Sequence, residues 1–209
     1  MEKEFILKSL NDLFPNPKCE LNYNNEWHLL IAILLSAQCT DKKVNKVTPT
    51  LFAKYPTLKH LEQANFNELE QIIHPLGLSN NKAKNIINLA KALNEEHNGF
   101  VPNNKEKLIK LPGIGTKTAN VMLIEYFKIP AFPVDTHVSR VSKRLNLCLE
   151  SDNVTTIEKK ITKTFDKDTW ARLHLQMVLF GRYICKAIKP ECTNCPFNKI
   201  CSYTEKKNP

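Results

Sequence analysis

The chain has no apolar stretch that could cross a bilayer. Its longest uninterrupted run, Leu29 to Leu35, falls far short of the roughly 20 residues a spanning helix needs. It opens Met1-Glu-Lys-Glu, without the basic and apolar leader of a secreted protein. No segment alternates apolar and polar residues well enough to predict a β-strand, and there is no repeat, low-complexity tract or long linker. Acidic residues are scarce, 21 against 30 lysines and arginines. An odd total of seven cysteines argues against a disulfide framework. These absences exclude membrane-spanning, secreted and sheet-built classes, and predict a soluble, cytoplasmic, all-α protein.

What is present is a basic chain of 209 residues with a net charge of +9, long enough to bury a substantial core in one compact domain or two small ones. Such a surface favours polyanions, and counterion release makes binding to DNA steeply salt-dependent. Helical periodicity runs throughout. Phe5, Ile6, Leu10, Leu13 and Phe14 mark a first amphipathic helix closed by Pro15 and Pro17. Glu26 to Gln38 is apolar almost all round, as a central buried helix should be. Thr40-Asp41 starts another helix and Glu68 to Ile73 forms a short one. Ser79 or Asn80 caps a longer helix that ends before Gly99, and Lys105 to Lys110 and Lys117 to Phe127 follow. Asp135 to Asn146, Thr155 to Phe165 and Asp168 to Ile184 complete the set.

Leu111-Pro-Gly-Ile-Gly-Thr-Lys-Thr-Ala-Asn120 carries the densest chemistry. Gly113 and Gly115 permit a tight hairpin between helices, Pro112 ends the helix before it, and Thr116 suits an N-cap for the helix after it. Bare amides at such a helix start bind anions, and DNA phosphate is one. Lys117 stands in the first helical turn, where a cation opposes the helix dipole, which suggests an amine held for chemistry. Asp135, in Val-Asp-Thr-His, offers a carboxylate within the same stretch. Taken alone, a Gly-x-Gly turn is more often a packing device, Lys117 a solvated charge and Asp135 a helix cap.

Cys185, Cys192, Cys195 and Cys201 have six, two and five residues between them, and thiolates at these spacings can converge on one metal centre. Structural zinc is a serious alternative, although zinc ribbons show two Cys-x-x-Cys knuckles where this cluster has one. Nor does the spacing follow the ferredoxin pattern. Lys186 and Lys189 lie in the six-residue loop between the first two cysteines. Cys19, Cys39 and Cys148 fall outside the pattern and read as small buried or free thiols.

Together, the hairpin, Lys117, Asp135 and the four cysteines resemble the endonuclease III family, the iron–sulfur branch of the helix-hairpin-helix DNA glycosylase and abasic-site lyase superfamily. The resemblance covers nearly the whole chain. It implies a two-lobed fold, with a six-helix barrel over residues 20–130 and a second domain formed by residues 1–19 and 131–209 that ends in a 4Fe–4S cluster loop. DNA and the active site would lie in the cleft between the lobes. It implies that Lys117 is the nucleophile, Asp135 its assistant, and Cys185, Cys192, Cys195 and Cys201 the ligands of one 4Fe–4S cluster. Gln38 matches the family's gap-filling glutamine and Leu78 its apolar wedge, although Leu78 could equally tuck onto the core. Gly113, Gly115, Lys186 and Lys189 would meet the DNA backbone. Where family members often carry another basic residue, this chain has Ile188.

The activity so implied is base excision repair. A monomer, associated with the nucleoid, would remove oxidised pyrimidines from double-stranded DNA through a lysine Schiff base and cleave 3′ of abasic sites by β-elimination. The adenine-mismatch branch of the superfamily usually lacks a lysine at position 117. A rival of another class is a non-catalytic iron–sulfur protein that binds DNA or senses redox state.

Overall fold

The computed structural model describes residues 2–203, and among them the regular structure is entirely helical. The chain divides into two compact units. Glu20–Phe127 forms the first, and the segments through Cys19 and from Lys128 onward form the second.

In the first unit, α2 (Glu26–Leu35) is the central element, with every residue from Trp27 to Leu35 buried. It packs against α3 (Asp41–Lys54), α6 (Ser79–His97) and α8 (Thr116–Glu125). Two short helices, α4 (Leu58–Glu62) and α5 (Phe66–Ile73), cover α6, and α7 (Lys105–Leu108) packs on α8. The helix of Leu58–Glu62 is too short to show a period, but its Thr57 cap is legible.

The second unit joins α1 (Glu2–Leu13) to α9 (Thr136–Arg144), α10 (Val154–Thr164) and α11 (Trp170–Tyr183). α11 packs on α1 and α9 around a core that includes Ile6, Leu10, Val138, Ile161, Met177 and Phe180. Gly181 permits the α9–α11 approach, because a Cβ there would meet His137 Cβ at 2.9 Å. The stretch expected to begin at Asp168 starts instead as a single 3-10 turn, Lys167–Thr169, before α11.

Capping explains most helix starts. Asn25, Thr40, Thr57, Asn65, Asn104, Asp135 and Asn153 each accept a hydrogen bond from an amide of the helix that follows. Two expected caps are different. α6 begins after Leu78, whose backbone is left-handed, rather than after a serine or asparagine cap. α8 begins at Thr116 itself, with Gly115 in the cap position and no side chain to satisfy its first amides. Likewise α2 stops at Leu35 and does not reach Gln38, because the chain turns at Ser36 and Gln38 is left-handed. No helix among the described residues is long and apolar enough to cross a membrane.

Candidate functional site

The hairpin before α8 is built by its apolar residues. Leu111 and Ile114 are buried, and the Ile114 amide donates to the Leu111 carbonyl at 3.1 Å, closing the turn onto the unit's core. Gly113 has φ +75, and a Cβ there would meet Asn85 of α6 at 2.9 Å, so both conformation and space demand glycine. Gly115 differs from the sequence expectation. Its φ is −96, an ordinary value, and a Cβ there would meet nothing within 4 Å. Its contribution is openness: no cap side chain occupies the first amides of α8, and the space beside Gly115 is free.

Lys117 follows on the first turn of α8 and is exposed. The folded chain itself therefore does not supply the desolvation that an amine nucleophile needs. Asp135, in the second unit, is half-buried and caps α9, its Oδ1 accepting from the Val138 amide at 2.8 Å. The cap uses one carboxylate oxygen, so capping and chemistry at Oδ2 are compatible. His137 is packed against Gly181, and its Nδ1 accepts from Arg140 Nη2 at 3.2 Å, because guanidinium can only donate.

Gln38 and Leu78 share an unusual property. Both are exposed and both hold left-handed backbones, φ 56 and φ 52. Leu78 is 53% exposed, so it does not fold onto the core. For residues with a Cβ this conformation costs about 1–2 kcal/mol, and strain of this kind concentrates at functional sites. α6 links the pieces, with Leu78 at its start and Asn85 against Gly113.

Cys185, Cys192, Cys195 and Cys201 all line one cavity, whose other walls include Leu145, Phe180, Ile184, Phe197 and Tyr203. Burial pushes the Cys195 thiol up, and the neighbouring thiols push it the same way. Among the described residues, no three His, Cys, Asp or Glu side chains converge on a single ion position. Sequence reading missed what fixes this loop. Phe197 is fully buried, edge-on to Phe5 at 5.9 Å and to Phe180 at 5.2 Å. Arg144 donates to Cys185 Sγ at 3.3 Å and to the Lys186 carbonyl at 2.8 Å, and stacks on Tyr203 at 3.8 Å. Arg140 donates to the carbonyls of Cys185 at 3.0 Å and Gly181 at 2.7 Å. The signal was two arginines spaced i, i+4 on the helix that Asp135 opens, in a chain whose cations are mostly lysine.

Of the two loop lysines, Lys189 is exposed with φ 50, whereas Lys186 pairs with Glu191 at 2.6 Å. A surface pair is worth only about 0–1 kcal/mol, so Lys186 stays exchangeable, but its charge is partly answered already.

Residues 31–167 match the HhH-GPD superfamily base excision DNA repair proteins. The chain belongs to this superfamily. The match spans the hairpin, Lys117 and Asp135 but stops short of the four cysteines. Relatives within the superfamily extend over them: endonuclease III of Bacillus subtilis (strain 168) is 45% identical over 205 residues, covering 98% of this chain and 94% of its own. Two solved structures superimpose with TM-scores of 0.94 at 46% identity and 97% coverage of this chain. One is a non-covalent endonuclease III–DNA complex, 95% covered, and the other a trapped endonuclease III–DNA covalent intermediate, 96% covered.

Proposed function

We propose that this protein is a bifunctional DNA glycosylase and abasic-site lyase of base excision repair. It removes oxidised pyrimidines from double-stranded DNA and cuts the strand 3′ of the abasic site, working as a monomer on nucleoid DNA. The observation that carries this reading is Lys117: an exposed amine on the first turn of a helix whose cap is a bare glycine. A phosphate held by the α8 amides would bring a backbone sugar to that amine.

In this reading Lys117 Nζ, as the free amine, bonds to C1′ while the C1′–base bond breaks. The base leaves with that bond's electron pair and takes up a proton. Opening of the sugar gives a protonated imine, which acidifies the C2′ hydrogen. Loss of that proton expels the 3′ phosphate and breaks the strand. Asp135 Oδ2 stabilises the positive charge that develops at the sugar, or takes up a proton.

Extruding a base costs a few kcal/mol, and filling the gap offsets that cost. Gln38 fills the vacancy and Leu78 wedges the neighbouring bases apart. Gly113, Gly115, Lys186 and Lys189 hold the backbone.

Residues 20–130 form the barrel domain of this reading, and residues 1–19 with 131–209 form the iron–sulfur domain. The four cysteines, which line one largely apolar cavity, would hold one 4Fe–4S cluster, the group that the resemblance to endonuclease III implies. An N–H donor to Cys185 Sγ and apolar walls also fit such a group. When bound, a cluster cross-links the loop and fixes its shape. Residues Lys186 and Lys189 then meet phosphate with little ordering cost.

Borohydride trapping on abasic duplex tests the reading. The parent protein is expected to give a covalent complex, and Lys117→Gln none, while Lys117→Gln still binds abasic DNA. Absence of trapping by the parent would favour a non-catalytic DNA-binding protein. Trapping by Lys117→Gln would move the nucleophile elsewhere.

A further inference from the structure

Lys82 is a buried lysine, only 4% exposed, near the start of α6. Lysines are almost never so buried unless paired, and a cation here also opposes the helix dipole. Its ammonium donates to the Leu76 carbonyl at 3.0 Å, a dipole and not a carboxylate. Burial pushes its pKa below the ordinary lysine value, with the nearby Cys39 thiol acting in the opposite direction. Between that lowered value and the ordinary one the unfolded chain binds more protons, so at neutral pH the lysine destabilises the fold.

What the lysine touches gives it a purpose. Helical side chains lean toward the N-terminus, so Lys82 reaches back under the segment Leu76-Gly77-Leu78. Gly77 has φ 67 and left-handed Leu78 has φ 52, two consecutive residues of positive φ that carry the exposed Leu78 side chain. The same turn is braced on its other side, where Ser79 Oγ donates to Glu70 Oε1 and Glu70 also meets His74 Nδ1 at 3.1 Å. Cys39, whose thiol acts electrostatically on the lysine, directly follows left-handed Gln38.

We propose that Lys82 is a positioning residue for DNA entry: by holding the Leu76 carbonyl, it keeps the Gly77–Leu78 turn in the shape that projects Leu78 outward as a preformed wedge. This rests on the reading of Leu78 as the wedge. A wedge already in place avoids the cost of ordering on contact with DNA.

The test compares Lys82→Met, Leu78→Ala and the double variant on a duplex in which an oxidised pyrimidine lies beside 2-aminopurine, whose fluorescence rises on unstacking. Rates are taken where circular dichroism shows each variant folded. Lys82→Met is expected to lose most of the fluorescence rise and to slow single-turnover base excision about 10- to 100-fold, the scale of a roughly 1 Å misplacement. Strand cleavage at a plain abasic site should change less, because an unpaired nucleotide is extruded most cheaply. In the Leu78→Ala background Lys82→Met should add nothing further. Parent-like fluorescence and rate in Lys82→Met would overturn the proposal. So would additive losses in the double variant, equal losses on both substrates, or a Lys82→Met protein that folds at no temperature, since the lysine would then serve only the fold. A silent Leu78→Ala would overturn the wedge reading itself, and the proposal with it.

Discussion

Replacing Asp135 by asparagine separates two tasks that one side chain can perform. Its Oδ1 caps α9 through the Val138 amide at 2.8 Å. Asparagine caps about as well as aspartate, so Asp135→Asn should keep that bond and lose only the charge–dipole benefit of about 0.3–1 kcal/mol. Asp135→Ala loses the cap altogether, about 1 kcal/mol more. In a chain of this length each kcal/mol moves the melting midpoint by about 2–4 °C. Asn should therefore melt near the parent and Ala a few degrees below it.

Activity should divide the variants differently. If Oδ2 stabilises charge developing at the sugar, its loss should cost about 100- to 1,000-fold in rate, the usual scale for a preorganised electrostatic group. Both variants lose it, so both should be slow in single-turnover base release. The expected pattern is thus one shared loss of rate and two distinct melting temperatures, read by calorimetry and by release of an oxidised pyrimidine. A fully active Asp135→Asn would confine Asp135 to capping. An Asn variant that melts as low as Ala would mean that the loss of rate reports a damaged helix.

Two other predictions concern the cysteine loop. Protein purified without air should be brown and hold iron and sulfide near four of each per chain, and Cys195→Ser should damage folding of the second unit before it damages chemistry; colourless protein with one zinc would refute this. Lys189→Ala should flatten the plot of log DNA affinity against log salt by roughly one unit if Lys189 neutralises one phosphate, and an unchanged slope would leave it merely solvated.

Much of the helical framework was legible because burial imposes a period. The buried faces of α1, α2, α6 and α11 follow apolar spacing that is visible in the chain. The hairpin was legible because Gly113 marks a positive φ. Gly115 was misjudged for the reason that a glycine announces freedom, not which freedom is used: its φ of −96 needs none. Phe197 lies between cysteines in a stretch with no apolar period to mark it, yet it anchors that loop through rings contributed by α1 and α11. Arg140 and Arg144 were passed over for a related reason. Their partners are backbone carbonyls and a sulfur 41 to 45 residues away, and no local pattern encodes such a distance.

The left-handed residues show where local preference yields to another demand. Asn98 and Asn146 take up that conformation at the ends of α6 and α9, where asparagine commonly does so. Gln38, Leu78, Lys128 and Lys189 have no such preference, and each costs about 1–2 kcal/mol to hold there. All four are exposed, so no buried contact of their own side chains offsets the cost. Three of them, Gln38, Leu78 and Lys189, are also among the residues proposed to meet DNA. The helix starts after Leu78 and Gly115, which like that of α11 lack a side-chain cap, fall in the same group, whereas most other helices open on an asparagine, threonine or aspartate that satisfies their amides. Strain and unsatisfied amides in a folded chain require support from neighbouring structure, which here comes from Lys82 beneath Leu78 and from Asn85 against Gly113. The fold holds these turns ready in shapes their sequences do not favour, and a bound phosphate backbone is what would satisfy them.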